Sequence, residues 1–307
     1  MIDVAESKPI IVISDLHLGQ KGMVLAATEL QPLIEVANTL IINGDAAELH
    51  VPAFAHQARQ ELDRLKELCR ESGTTLLRLA GNHDPTDTVE RYVIDRTNGI
   101  LLTHGDVVAE AVAPWSDAAS VMRHRHRAFL ASLPEKQRSS IDAQFWACRE
   151  ASIAEWDALG DSGPPSTLFS TIARPRKLYN VLRFWRQQIP LMDAFANAFA
   201  PEARLILIGH SHRPRIKRFR DRLFVNTGCF GFPGYPLAGI FDEQGFRVER
   251  VRKVQGAWRL DKKPLISDPS IHFDQAAIQE SLIGPSSARA EATTAPSTPV
   301  LQPPSSA

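Results

Sequence analysis

Five short apolar runs in this chain stop on Asp, Asn or His, and that punctuation constrains the fold more than any other feature. Ile10-Ile11-Val12-Ile13 leads into Ser14-Asp15-Leu16-His17-Leu18-Gly19, and Leu40-Ile41-Ile42 ends at Asn43-Gly44-Asp45. The run from Leu76 to Ala80 stops at Gly81-Asn82-His83-Asp84. Ile100-Leu101-Leu102 meets Thr103-His104-Gly105-Asp106, and Leu205 to Ile208 meets Gly209-His210-Ser211-His212. Runs this short and unbroken predict strands buried on both faces. In an α/β sheet the loops past the strand carboxyl ends gather along one edge, where ligands bind. Motifs scattered between Asp15 and His212 are therefore expected to meet in one site.

Between these runs the reading is mostly helical. A helical stretch is expected around Met23 to Ala37, interrupted by Pro32. An amphipathic helix is expected from about Ala53 to Glu71, with Leu62, Leu65 and Leu68 on one face. From about Val107 to Ala203 no strand pattern survives. Several helices are expected there, broken at Pro114, Pro134, Pro164-Pro165 and Pro190. Short strands are expected near Arg215–Phe219, Leu223–Asn226, Gly239–Phe241 and Phe246–Val251. The chain thus divides into an α/β domain over 8–254 with a helical insertion at about 107–203. A C-terminal extension over 255–283 follows. The Pro-, Ser-, Ala- and Thr-rich stretch 284–307 is expected to be a disordered tail.

Charge and composition exclude some classes. The 307 residues carry 35 basic and 35 acidic side chains, so no global field steers the chain to nucleic acid or an anionic membrane. No basic, aromatic-rich path for a strand is visible, and no stable nucleic-acid partner is expected. Cys69, Cys148 and Cys229 form no metal-ligand spacing and read as reduced thiols. The first residues lack a basic start and an apolar core, and no stretch reaches the length of a membrane span. The expectation is a cytoplasmic protein, with room for peripheral membrane contact; the oligomeric state is left open.

The punctuating residues share a chemistry. Asp, Asn and His offer oxygen and nitrogen donors without thiolate, a set suited to Mn²⁺, Fe or Zn²⁺. They are too many for one tetrahedral ion, so two divalent metal ions are expected. The alternation in His210-Ser211-His212 points both imidazoles to one side. Asn82 can offer an amide oxygen, His83 can ligate or move a proton, and Asp84 can hold an imidazole in one orientation. Glu48 and Asp106 lie beside these motifs and are expected to hydrogen-bond loop backbone rather than ligate a metal, with support of the ligands from behind as the alternative. Trp146, Trp156, Phe184 and Trp185 read as core of the helical region, with the lining of an apolar cleft for an acyl chain or a base as the alternative.

Taken in order, Asp15-Leu16-His17, Gly44-Asp45, Gly81-Asn82-His83-Asp84, His104 and Gly209-His210-Ser211-His212 resemble the calcineurin-like binuclear metallophosphoesterases. The resemblance covers about residues 10–252, with the helical region weakly matched. It implies a fold of two packed mixed β-sheets flanked by helices. It implies that Asp15, His17 and His212 bind one metal, that Asn82, His104 and His210 bind the other, and that Asp45 bridges both. By the same resemblance His83 meets the substrate phosphoryl group and Asp84 orients His83. Hydrolysis of a phosphoester or pyrophosphate by in-line attack of metal-activated hydroxide is expected, without a covalent enzyme intermediate. A non-catalytic scaffold of the same fold is the alternative of another class, and such relatives typically lack the histidine or some ligands.

Within that family, Ser14 to Gly19, Gly44-Asp45-Ala46-Ala47-Glu48, Leu102 to Asp106 and Gly209 to Pro214 are similar to UDP-2,3-diacylglucosamine diphosphatases. In those enzymes a helical insertion at this place caps the site and receives acyl chains. They commonly carry Arg where this chain has His83. The implied substrate is small, anionic and phosphorylated, and lipid-linked on this resemblance; a phosphodiesterase or phosphatase acting on nucleotides or other small anions is the alternative. Arg123, in the run Arg123-His124-Arg125-His126-Arg127, and Arg213, just past His212, are candidate substrate contacts.

Overall fold

The computed structural model of this chain describes residues 8–160, 174–232, 234–274 and 276. Eleven strands form two mixed sheets among these residues. The first holds β1 (Ile10–Ile13), β2 (Thr39–Asn43), β3 (Thr75–Leu79), β9 (Leu237–Asp242), β10 (Gly245–Val254) and β11 (Ala257–Asp268), in the order β11-β10-β9-β1-β2-β3. The second holds β4 (Tyr92–Asp95), β5 (Ile100–Thr103), β6 (Leu205–Ile208), β7 (Arg215–Phe219) and β8 (Arg222–Asn226), in the order β4-β5-β6-β8-β7. Strands β1, β2 and β3 run parallel, as do β5, β6 and β8.

The unbroken apolar runs have a direct cause in this layering. Ile10 and Val12 face the second sheet and pack with Ile41, Leu102, Leu207 and Val225. Ile11 and Ile13 face the other way, toward Leu62, Leu65 and Leu68 of α2 (Pro52–Glu71) and Leu33 of α1 (Gln31–Val36). Leu101, Ile206 and Ile208 face the helical insertion, meeting Met122, Phe145 and Met192. Those three side chains come from α3 (Ala119–Ser132), α5 (Ile141–Leu159) and α6 (Pro175–Phe199). The short α4 (Glu135–Arg138) joins α3 to α5. Both faces of each central strand are thus covered, and every Ile or Leu so buried contributes about 1.5–3 kcal/mol.

Asn43 ties the two sheets together where their strands end. Its Nδ2 donates to the Thr103 carbonyl at 2.9 Å and the Leu207 carbonyl at 3.1 Å. The end of β2 is thereby held beside the ends of β5 and β6. All five motifs sit at that seam.

Several expectations are corrected. Pro32 begins α1 rather than interrupting a longer helix, because a proline in the first turn lacks only an N–H that has no intrahelical role. Pro190 lies inside α6, which stays continuous because Ile189, Met192, Phe195 and Ala196 anchor it to the core. Strand β4 was not expected; it is an edge strand paired antiparallel with β5. The segment beyond 254 does not leave the domain at once, since β11 pairs with β10 from Ala257 to Asp268. The tail at 284–307 and the Pro164-Pro165 break lie outside the described residues. No helix among the described residues is long and apolar enough to cross a membrane, and the three cysteines are free and buried.

Candidate metal centre

The seam gathers the predicted residues into two adjoining groups. In the first, His17 Nε2 lies 3.0 Å from His212 Nε2, which lies 3.3 Å from Asp15 Oδ1. Asp45 Oδ2 is 3.7 Å from the same His17 nitrogen. In the second, Asn82 Oδ1 is 2.9 Å from His210 Nδ1 and 3.3 Å from His104 Nε2. That His104 nitrogen is 3.1 Å from Asp45 Oδ2. One oxygen of Asp45 therefore faces both groups.

The outward nitrogens show which lone pairs are free. His17 Nδ1 donates to Glu48 Oε1 at 2.7 Å, His104 Nδ1 to the Asn43 carbonyl at 3.1 Å, and His210 Nε2 to the Val112 carbonyl at 3.0 Å. With the outward proton fixed in this way, each ring has only its inward nitrogen to offer as a metal ligand. Two inward nitrogens 3.0 Å apart, as in His17 and His212, need a shared cation or a shared proton between them.

Burial makes the same demand in charge. Asp15, Asp45 and Glu48 are each at most 2% exposed. No Lys or Arg pairs with them among the described residues; only imidazoles do. Buried carboxylates require a nearby positive charge. Burial opposes the charged form of His104, yet Asp45 and Asp15 outweigh it and lift the imidazole to about 10. Burial likewise opposes ionisation of Asp45, but His104 and His83 hold it well below the usual carboxylate range. His210 falls to about 4, because burial and the adjacent His104 both disfavour its cation. Divalent cations would satisfy these carboxylates without crowding protons onto the rings. The donor set, oxygen and nitrogen with no thiolate, fits two such ions.

The backbone is bent to deliver these side chains. Asp15, His17, Asp45, His210 and His212 all have φ between 47° and 69°. Non-glycine residues in this left-handed region cost roughly 1–3 kcal/mol each and cluster at functional sites. Close approach explains the neighbouring glycines. A Cβ at Gly81 would overlap the Asp45 carboxylate, and one at Gly44 would overlap the His104 ring.

His83 stands apart from both groups and keeps 24% of its side chain exposed. Its Nδ1 donates to Glu48 Oε2 at 2.9 Å, so one carboxylate holds His17 with one oxygen and His83 with the other. These three residues form a further close cluster, joined by hydrogen bonds. Burial lowers the imidazole's affinity for a proton, but the Glu48 and Asp45 carboxylates raise it to about 9. The predicted role of Asp84 is corrected here. Its carboxylate accepts the backbone N–H of Gly81 and that of Ala46, each at 2.7 Å, and so staples two loops rather than orienting His83. Asp84 is directed into its own tight turn, whereas Glu48 reaches the ring from the neighbouring strand end. Asp106 does not bond loop backbone; it pairs with Arg91 at 3.0 Å and accepts the Cys148 thiol at 3.1 Å.

The aromatic residues of the insertion are not merely core. Trp156 Nε1 donates to the Asn82 carbonyl at 3.1 Å, and its ring meets His83 edge-on at 5.3 Å. Trp185 Nε1 donates to the Ser211 carbonyl at 2.9 Å. Phe184 and Trp115 pack on His210 at 5.5 and 5.4 Å. Trp146 lies under Arg149 at 5.3 Å. Arg213 stacks over Trp185 at 5.2 Å beside His212. Arg123 lies on α3 and lines a cavity that Trp115 and Phe184 also line. Neither Asn43 nor Trp156 has a local signal that assigns it to the site, whereas Glu48, three residues after Asp45, stands beside the motif in sequence and bonds His17 and His83 rather than loop backbone.

Two mixed sheets with two clustered donor groups at their seam define a binuclear metal-dependent phosphoesterase architecture. The chain belongs to the family described as calcineurin-like phosphoesterase, whose model matches residues 8–214. No curated protein sequence matches it. Solved structures similar to it include Vps29 of Entamoeba histolytica complexed with zinc, at 11% identity, covering 83% of this chain and 98% of that chain with a TM-score of 0.40. A predicted phosphoesterase of Streptococcus pneumoniae is 15% identical, covering 82% and 96%, with a TM-score of 0.35. A cold-active protein-tyrosine phosphatase of Shewanella is 12% identical, covering 82% and 80%, with a TM-score of 0.33.

Proposed function

We propose that this protein hydrolyses a phosphoester or pyrophosphate bond in a small anionic substrate. The observation that carries the reading is His83, held by Glu48 beside the shared Asp45 and left partly open to solvent. Asp15, His17 and His212 would hold one divalent ion and Asn82, His104 and His210 the other, with Asp45 between them. Such ions, with Mn²⁺ favoured over Fe or Zn²⁺, would neutralise phosphoryl oxygens and ease deprotonation of a water nucleophile.

The chain's own residues supply the rest. Glu48 fixes the His83 proton on Nδ1, which leaves Nε2 turned from Glu48 and without a hydrogen bond among the described residues. In its imidazolium form His83 donates from Nε2 to the departing oxygen or to charge building on the phosphoryl group. Asp84 and Trp156 keep the Asn82-His83 turn in place from either side.

Trp156→Phe keeps an aromatic side chain but removes the indole donor and trims a buried ring. It is expected to weaken metal binding at Asn82 roughly tenfold and, with the lost hydrogen bond and trimmed packing together, to lower folding stability by about 1–3 kcal/mol. Metal titration followed by a thermal melt separates these effects, and unchanged metal affinity would count against the indole bond.

Bis-p-nitrophenyl phosphate with added Mn²⁺ tests the activity class. Inactivity with every divalent metal would defeat the reading. The finer proposal, a UDP-2,3-diacylglucosamine-type diphosphatase acting at the cytoplasmic side of a membrane, rests on the similar motifs and the position of the insertion. It predicts that an acylated UDP-sugar is turned over at least about tenfold more efficiently than its unacylated counterpart. Equal efficiency would leave a small-molecule or nucleotide phosphodiesterase.

A further inference from the structure

Behind His210 lies a cavity of about 760 Å³ between the loop 109–117, α3 and α6. That volume suits a small organic ligand. Trp115 and Phe184 form the wall it shares with the metal centre: their rings meet at 5.2 Å, and each also packs on His210. The remaining lining is dominated by cations, namely Arg123 from α3 and Arg174, Arg176, Lys177 and Arg183 from α6 and its start.

The acids in the lining do not balance these charges. Glu110 is already engaged by Arg127, at 2.6 Å at closest approach, and Arg127 is not part of the lining. Asp117 is taken by Arg174 at 2.8 Å. Arg123, Arg176, Lys177 and Arg183 have no ion pair among the described residues. On α6, Arg176, Asn180, Arg183 and Phe184 recur at helical spacing, so the cations and the aromatic wall belong to one face. Four cations with no close ion pair among the described residues, around a concave space beside a site for phosphoryl groups, form an anion receptor, with Glu110 and Glu155 acting on Arg123 and Lys177 only at longer range.

We propose that this cavity holds a second phosphate-like group of the substrate whose reacting phosphoryl group sits at the metal centre. The inference rests on the phosphoesterase reading and narrows it to substrates carrying two separated anionic groups. An acyl chain is a poor occupant, because burying it here would strip water from these cations.

The test uses the metal-loaded full chain and straight alkanediol bisphosphates with two to eight carbons, each compared with its monophosphate by calorimetry. At least one bisphosphate is expected to bind about tenfold tighter than its monophosphate. Arg176→Ala/Arg183→Ala is expected to bring that ratio below about twofold, and Arg176→Lys/Arg183→Lys to retain most of it. The proposal is overturned if no spacer length gives an advantage, or if the advantage survives the double alanine variant. Hydrolysis of bis-p-nitrophenyl phosphate separates the two readings. A bisphosphate preference without hydrolysis sinks the activity and keeps the cavity; hydrolysis without the preference does the reverse.

Discussion

Asp45→Ala is expected to strip both metal groups and lower turnover by more than about a thousandfold, since it removes several kcal/mol of charge stabilisation. Asp45 is the residue that faces both groups. Its Oδ2 faces His17 and His104 at 3.7 and 3.1 Å, and its Oδ1 accepts the His83 backbone N–H at 2.9 Å. Loss of the carboxylate leaves two rings without their shared partner and frees the loop that carries His83. Asp45→Asn makes the comparison sharper, because it keeps the shape and removes only the charge. Elemental analysis of the purified protein, with a circular dichroism spectrum to confirm folding, provides the check. Full metal content in the alanine variant would remove Asp45 from the shared position.

His83→Ala is expected to behave differently: metal content stays near that of the parent while turnover falls about 10²–10⁴-fold. The separation follows from geometry, since His83 bonds Glu48 and Trp156 flanks it, but its ring belongs to neither Asp45-centred group. Glu48→Gln should show both effects in part. It loosens His83 and also His17, so metal affinity and turnover each fall by roughly 10–100-fold. Asp84→Asn should act mainly on folding, because an amide cannot accept both the Gly81 and Ala46 N–H groups as the carboxylate does. Metal loss in His83→Ala equal to that in Asp45→Ala would make His83 a ligand. A turnover loss in Asp84→Asn as large as in His83→Ala, with folding intact, would restore Asp84 to the orienting role.

The two variants also mark how far local sequence reaches. Asp45 is legible because it follows a buried strand and a glycine, and because four other strands end in donors of the same kind. The strand ends converge as expected, and the amphipathic helix over 52–71 buries Leu62, Leu65 and Leu68. The partner of His83 is not legible in the same way. Asp84 is its neighbour in sequence, yet a tight turn directs that carboxylate back to backbone N–H groups. Glu48 lies far back in the chain and is brought to His83 only by the pairing of β2 with β3.

The chain by itself therefore determined which residue types meet at the strand ends and what chemistry they share. Short apolar runs and their terminating residues are local properties, written in consecutive positions. The tertiary structure alone decided which lone pairs point inward, which carboxylate grips His83, and that Trp115, Trp156 and Phe184 press on the site from the insertion. It also decided that the cations of α3 and α6 surround a cavity against His210. Those outcomes depend on packing between distant segments and on left-handed backbone at Asp15, His17, Asp45, His210 and His212, which neither periodicity nor propensity encodes.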